Sequence, residues 1–133
     1  MADKSVSTES LAIETKTEYT GRKFRVAFIG CGGIAQMHAT QLRTFDDIEI
    51  DAGCDIEQQK LDNFRGRWGV DRLYTDWKKM LEEVKPDGVS VCTPNGVHAQ
   101  PTIDALNAGC HVMVEKPMAM TPSECREMIA AGK

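Results

Sequence analysis

Short apolar runs alternate with segments of helical spacing along most of this chain. Five runs rich in branched residues predict strands at 24–29, 48–54, 72–75, 87–92 and 110–114. Apolar residues between them recur three and four positions apart, which predicts helices near 32–44, 61–68, 77–84 and 99–108 and one from 122 to the end of the chain. This alternation is typical of an α/β fold with a doubly wound parallel sheet, and we expect the strand order 3-2-1-4-5.

The first 22 residues differ from the rest. They are rich in serine and threonine, carry mixed charge and sustain no apolar period, so they predict a flexible tail. A short amphipathic docking arm around residues 11–13 is the alternative. Residues 23–133 then form the folded domain, which we expect to be truncated at its C-terminal end.

A glycine-rich turn follows the first strand, with the sequence Gly30-Cys31-Gly32-Gly33-Ile34-Ala35. Gly30 allows a sharp turn, Gly32 allows the backbone to approach a pyrophosphate, and Ala35 allows close packing of helix on strand. The free N–H groups of the new helix would face the anion. A tight strand-to-helix turn without a ligand is the alternative interpretation.

Asp55 follows the second strand, 25 residues after Gly30. A carboxylate at this place can accept hydrogen bonds from the hydroxyls of an adenosine ribose and would repel a 2′-phosphate. Because residues 56–59 offer no arginine to bind such a phosphate, the pattern favours NAD over NADP. Asp55 could also cap the following helix.

Composition limits the remaining possibilities. A chain of 133 residues with 41% apolar residues fits one domain with its own core. A net charge of −4 and the lack of a basic cluster argue against nucleic acid, and no apolar run is long enough to span a membrane. Five cysteines without a C-x-x-C pair predict buried thiols in a reducing, cytoplasmic compartment and no metal site.

Two further loops fall at carboxyl ends of predicted strands. Thr93-Pro94-Asn95-Gly96-Val97-His98 follows the fourth strand and should border the switch-point crevice, where ligands bind in such sheets. Glu115-Lys116-Pro117 follows the fifth strand. In the first helix, His38 is interpreted as a histidine packed and hydrogen-bonded at the sheet surface rather than as a catalytic group.

These segments together resemble the N-terminal half of the glucose-fructose oxidoreductase/inositol dehydrogenase/rhizopine catabolism (Gfo/Idh/MocA) family. The resemblance extends from about residue 23 to the end of the chain. Its matching segments are Gly30–Ala35 with His38, Cys54-Asp55, Thr93-Pro94-Asn95 with His98, Ala105-Leu106 with Ala108-Gly109, and His111-Val112 leading into Glu115-Lys116-Pro117. Five matches in this order at the right strand ends are a more specific signal than any one of them.

The resemblance implies a Rossmann domain that binds NAD, or less favourably NADP, in an oxidoreductase acting on a sugar or cyclitol. It implies that the turn from Gly30 through Cys31, Gly32, Gly33 and Ile34 to Ala35 holds the pyrophosphate and that Asp55 holds the adenosine ribose. Thr93, Pro94, Asn95 and His98 would form the nicotinamide side of the site, with His98 stabilising the loop. Glu115 would lie near the nicotinamide ribose. Lys116 would orient the substrate hydroxyl and help its proton to leave, with Pro117 holding the turn; a solvated lysine paired with Glu115 is the alternative.

The family's remaining acid/base residues and most substrate contacts lie in a C-terminal domain, which this chain lacks. We therefore expect a fragment that binds dinucleotide poorly or partially and turns over nothing, and a homo-oligomer when the protein is full length. Two alternative functions stay open. One is a glycosidase of the same family that uses NAD transiently, and the other is a non-enzymatic dinucleotide-binding module.

Overall fold

Strands and helices alternate along the chain in a computed structural model, which describes residues 22–116 and 118–133. The strands are β1 Phe24–Ile29, β2 Ile48–Cys54, β3 Arg72–Tyr74, β4 Gly88–Val91 and β5 His111–Val114. The helices are α1 Gly33–Leu42, α2 Gln58–Trp68, α3 Trp77–Val84, α4 Ala99–Asn107 and α5 Pro122–Ala131, and a 3-10 turn spans Asn95–Val97. The elements predicted from periodicity are therefore present, with ends displaced by a few residues.

All strands pair in parallel, in the order β3-β2-β1-β4-β5. This order confirms the predicted doubly wound α/β class. Because the chain reverses direction across the sheet between β1 and β4, the carboxyl ends of these two strands border the switch-point crevice.

Two apolar layers enclose the sheet. On one face, α1 and α2 pack over β1, where the rings of Phe28 and Phe64 lie 5.4 Å apart and both are fully buried. On the other face, Met80 of α3 and Ala105 of α4 pack in one buried cluster with Ile29 and Val91 of the sheet. The strands at the centre of the sheet are thus buried on both sides, which explains why their sequences read as nearly continuous apolar runs.

The pairing of β1 with β2 contains one irregularity that the hydrophobic pattern does not indicate. Val26 pairs with Ile50 and Ala27 with Ala52, so Asp51 has no partner in the ladder. Its carboxylate accepts hydrogen bonds from Arg25 at 2.9 Å and Arg72 at 3.3 Å. The bulge therefore links β1, β2 and β3 through charged side chains at the amino-terminal half of the sheet.

Two helices begin with side-chain caps. Asp76 caps α3 by accepting from the Lys78 N–H, and Thr121 caps α5 by accepting from the Glu124 N–H. The proposed cap at Asp55 is wrong, because Glu57 occupies the N-cap position of α2. The last helix ends at Ala131 rather than at the final residue, with Gly132 as its C-cap, whose N–H donates to the Met128 and Ile129 carbonyls.

The tail predicted for residues 1–22 and the arm around 11–13 lie outside the described residues, except for Arg22. The guanidinium of Arg22 forms two hydrogen bonds, at 2.8 and 3.0 Å, with the carboxylate of Asp87. These bonds, opposed in part by burial, hold the pKa of Asp87 below its usual value. Asp87 also accepts from the Arg25 N–H at 2.9 Å, so it fastens the start of β1 to the loop before β4.

Substitution of Gly30 by alanine should destabilise the domain, whereas the same change at Gly66 should stabilise it. Gly30 has φ +93°, and a Cβ there would lie 2.6 to 2.7 Å from backbone atoms of Cys92 and Thr93. We expect Gly30→Ala to lower the free energy of unfolding by about 2 kcal/mol or more. Gly66 is exposed inside α2 with nothing near its Cβ position, so Gly66→Ala should raise it by about 0.5–1 kcal/mol.

Urea unfolding of both variants measures these differences, with Gly66→Ala as the matched control for adding a methyl group. Equal stability of Gly30→Ala and the unaltered chain would show that β1 and β4 can separate at this point without cost.

Candidate functional site

A cavity of about 420 Å³ lies where the carboxyl ends of β1, β2 and β4 meet. The glycine turn after β1 forms one side, the end of β2 a second, and the loop after β4 a third. The described residues that line it are Ile29, Gly30, Gly32, Gly33, Ile34, Cys54, Asp55, Ile56, Glu57, Lys60, Thr75, Trp77, Cys92, Thr93, Pro94 and Val97. A smaller hollow of about 210 Å³ lies over β1, β4 and β5, on the face that α1 only partly covers. The described residues that line this hollow include no Asp, Glu, Lys or Arg.

The glycine turn is held tightly between its neighbours. The Gly30 N–H donates to the Cys54 carbonyl at 2.8 Å, and the Cys92 N–H donates to the Ile29 carbonyl at 2.7 Å. Gly32 forms the N-cap of α1 with no side chain to cap it, and the first N–H groups of a helix have no partner within the helix. The turn therefore presents backbone donors and a small surface at the cavity wall.

Asp55 is fixed by the backbone around it. One carboxylate oxygen accepts from the Cys31 N–H at 2.9 Å, and the other accepts from the Glu57 N–H at 2.8 Å. A carboxylate has about four acceptor positions, so two remain for a ligand in the cavity. The acid that follows β2 is thus held against the glycine turn in a defined orientation.

A charged pair that the sequence interpretation missed stands beside Asp55. Lys60 Nζ lies 2.8 Å from Glu57 Oε2, and a Cβ placed on Gly32 would be 3.8 Å from the same ammonium. The hydrogen bond to Glu57 is the main cause that raises the pKa of Lys60. The spacing of three residues on a helix is a signal that could have identified the pair.

Trp77 is a second residue whose position was not predicted. Its ring packs partly buried against the core, but it also lines the cavity, and its Nε1–H donates to Asp104 at 2.8 Å. The sequence placed it on the apolar face of α3, and only the packing of α3 beneath the end of the sheet brings it to the cavity.

The loop after β4 is stabilised from within. His98 is 1% exposed, and its Nε2 lies 2.7 Å from the Thr93 carbonyl, so that nitrogen is the protonated one. Thr93 Oγ1 donates to the Val97 carbonyl at 2.9 Å. Asn95 begins the 3-10 turn, and its side chain lies outside what the structure describes. His98 thus has the loop-stabilising position expected of it, behind the cavity wall.

The Glu115-Lys116 corner is connected to α1 and β4 through His38. The Glu115 N–H donates to the Val91 carbonyl at 3.2 Å, and its Oε2 lies 2.7 Å from His38 Nε2. The other ring nitrogen of His38 lies 2.8 Å from Ser90 Oγ. The described partner of the Glu115 carboxylate is therefore His38.

The structure brings only some of the predicted residues to one cavity. Gly30, Gly32, Gly33, Ile34, Asp55, Thr93 and Pro94 line it. Cys31 and Ala35 are buried beneath the turn, and His98 lies behind the loop. Glu115 and the exposed Lys116 follow β5 beside His38 and are not among the residues that line the cavity; Pro117 lies outside the described residues. A contact of any of these residues with a dinucleotide stays a prediction.

All five cysteines are free thiols, and three of them are buried. Burial raises the pKa of Cys54 to about 12 and that of Cys92 to about 11, and it also raises the pKa of Cys31. These thiols next to the cavity are therefore protonated at neutral pH and poor nucleophiles. Within residues 22–116 and 118–133, no cluster of His, Cys, Asp or Glu is arranged to hold a metal ion, and none of the helices there could cross a membrane.

A glycine turn at the switch point, an acid fixed after β2 and a cavity between them are the features of a dinucleotide-binding Rossmann domain. The model of the oxidoreductase family with an NAD-binding Rossmann fold (Gfo/Idh/MocA) matches residues 24–133, and the chain belongs to this family.

Three known proteins illustrate the range of relatives. D-glucoside 3-dehydrogenase of Escherichia coli (strain K12) is 45% identical over 114 residues, which are 85% of this chain and 32% of that protein. Glycosyl hydrolase family 109 protein 1 of Akkermansia muciniphila is 34% identical over 116 residues, 80% of this chain and 24% of that protein. The structure of scyllo-inositol dehydrogenase from Lactobacillus casei, with bound NAD(H) and scyllo-inositol, matches with a TM-score of 0.77 at 26% identity and covers 83% of this chain and 33% of that one. This chain thus spans a third or less of each of these proteins.

The contact between His38 and the Glu115 carboxylate should contribute measurably to stability. Both side chains are partly buried, 18% and 31% exposed; the His38 ring also contacts Ser90 Oγ, and the backbone N–H of Glu115 donates to the Val91 carbonyl. In a double-mutant cycle of His38→Ala and Glu115→Ala, we expect a coupling free energy of about 1 kcal/mol.

Urea unfolding of the unaltered chain, the two single variants and the double variant measures this coupling. Additive effects of the two substitutions would show that the histidine and the carboxylate act independently. The pair His38→Ala and Glu127→Ala serves as the control cycle, since Glu127 lies exposed on α5.

Proposed function

We propose that the cavity between the ends of β1, β2 and β4 is the NAD site and that this chain is the cofactor domain of an oxidoreductase acting on a sugar or cyclitol. One observation is central to this proposal: the backbone donors of the glycine turn and the fixed carboxylate of Asp55 face the same 420 Å³ cavity. Such a combination suits a ligand that carries a pyrophosphate and, a few ångströms away, a pair of ribose hydroxyls.

The proposed roles follow the positions of the residues. N–H groups at the start of α1, near Gly32, Gly33 and Ile34, bind the pyrophosphate. The free acceptor positions of Asp55 bind the adenosine ribose, and the loop with Thr93, Pro94 and Asn95 borders the nicotinamide. Cys31, Ala35 and His98 support these groups from behind.

The chemistry is proposed for the corner after β5. When bound, NAD supplies a nicotinamide that accepts or returns a hydride. Glu115 lies near the nicotinamide ribose, and the Lys116 ammonium binds the reacting oxygen of the substrate. A cation there stabilises the negative charge that develops on this oxygen as its proton leaves. The relatives named above support a sugar or cyclitol as substrate, and the five free thiols support a cytoplasmic location. A homo-oligomeric assembly of the full-length protein stays a prediction.

The glycosidase alternative has two relatives in its favour, both glycosyl hydrolase family 109 proteins. The two activities differ in the fate of the cofactor. A dehydrogenase accumulates NADH as substrate is consumed, whereas a glycosidase that uses NAD transiently releases an aglycone without net reduction. A non-enzymatic module would bind NADH and do neither.

The unaltered chain should bind NADH measurably, with only part of the affinity of a full-length protein, and Asp55→Asn should weaken this binding about tenfold by removing the charged acceptor of the ribose hydroxyls. Energy transfer from tryptophan to the reduced nicotinamide measures the binding, because Trp77 lines the cavity. Asp46→Asn, an exposed carboxylate in the loop after α1, is the control. A folded Asp55→Asn variant with unchanged affinity would contradict the ribose assignment.

Lys116→Ala should abolish turnover and spare cofactor affinity. Because this chain spans 32% of D-glucoside 3-dehydrogenase, residues 24–133 can replace the matching segment of that enzyme to give a chimera with a complete substrate domain. In the chimera, we expect Lys116→Ala to lower kcat by about 100-fold or more and to leave the Kd for NADH within about threefold. Lys78→Ala, in the exposed first turn of α3, controls for loss of a lysine, and undiminished kcat in Lys116→Ala would refute the catalytic role.

A further inference from the structure

We propose that Glu57 makes the cavity selective for a dinucleotide without a 2′-phosphate, because it occupies and neutralises the Lys60 ammonium. The inference rests on the proposed NAD site and assigns part of its specificity to a residue outside the glycine turn and the ribose acid. It concerns the chemical class of cofactor that the cavity accepts.

The cavity contains a cation that could serve a phosphate. Lys60 lines the wall beside the ribose acid Asp55, and its ammonium lies over the glycine turn, 3.8 Å from where a Cβ of Gly32 would be. A lysine in this position has three donors and a full positive charge to offer an anion. Asp55 alone is therefore an incomplete explanation of selectivity, because the wall next to it is not uniformly acidic.

Glu57 pairs with the Lys60 ammonium and neutralises its charge. Its Oε2 lies 2.8 Å from Lys60 Nζ, and its own N–H donates to Asp55, so the three charged groups form one cluster. The cluster of Asp55, Glu57 and Lys60 has two carboxylates and one ammonium and hence a net charge of −1. Ribose hydroxyls can bind to such a surface as donors, whereas a 2′-phosphate would add nearly two negative charges to it.

The strength of the ion pair itself is not what excludes the phosphate. Lys60 and Glu57 are 42% and 59% exposed, and exposed pairs contribute little free energy. A phosphate could attract Lys60 away from Glu57, but the released carboxylate would then stand unpaired beside Asp55 and the phosphate. The selectivity arises from the charge balance of the cluster, and one substitution that keeps its shape should change it.

Glu57→Gln tests the inference with this chain as it is. The amide retains the size of the side chain and the N-cap residue's backbone, removes one negative charge and leaves Lys60 free for an anion. We expect the ratio of the Kd for NADPH to the Kd for NADH to fall on the order of tenfold, mainly through tighter NADPH binding. Energy transfer from Trp77 to the reduced nicotinamide reports both ligands in the same way.

Two further variants separate the possible causes. Adding Lys60→Ala to Glu57→Gln should return the ratio to that of the unaltered chain, because the proposed phosphate partner is lost. Glu127→Gln makes the same change of net charge on α5, outside the cavity lining, and should leave the ratio within about twofold.

The outcomes distinguish this inference from the proposed NAD site. NADH binding by the unaltered chain with a lowered ratio in Glu57→Gln supports both. NADH binding with an unchanged Kd ratio in Glu57→Gln overturns the role of Glu57 and leaves the proposed NAD site intact. An equal gain of affinity for NADH and NADPH also overturns that role, because it would assign Lys60 to the pyrophosphate. Failure of the unaltered chain to bind NADH contradicts the site and the inference together.

Discussion

The close contact between β1 and β4 at the switch point is the constraint on which the rest of the structure depends. Gly30 has room for a hydrogen atom only, because a Cβ there would overlap the Cys92 carbonyl and the Thr93 nitrogen. From the other side, the Gly30 N–H is bound by the Cys54 carbonyl of β2. Three strands therefore end at fixed positions relative to one another, and their three loops border one cavity rather than three separate surfaces.

The backbone also determines how the acidic group of this cavity is presented. Asp55 receives hydrogen bonds from the Cys31 and Glu57 N–H groups, so its carboxylate has a single orientation before any ligand arrives. A group that is already ordered loses little conformational entropy on binding. The acid after β2 and the turn after β1 thus form one unit, although 24 positions separate Asp55 from Cys31 in the chain.

The local sequence pattern predicted the helices and strands, the order of the strands in the sheet and the loops that meet at its edge. It could do so because the period of apolar residues and the connection rule for parallel sheets both depend on neighbours in sequence. It did not predict the bulge at Asp51, since the apolar residues on either side of it continue as in a regular strand. Trp77 was placed on its helix but not in the cavity, and Lys60 was not singled out at all, because their places at the cavity depend on how α2 and α3 pack against the sheet. Tertiary contacts, which no single segment encodes, account for these misses.

The position of Lys116 depends on the same unit through α1. This helix begins at the glycine turn and presents His38 one turn later to both Ser90 of β4 and Glu115 after β5. The backbone of Glu115 is bound in turn by Val91 of β4. The backbone that leads into Lys116 is thereby tied to the elements that carry the start of α1, so the spacing between the proposed anion and substrate positions depends on how α1, β4 and β5 pack.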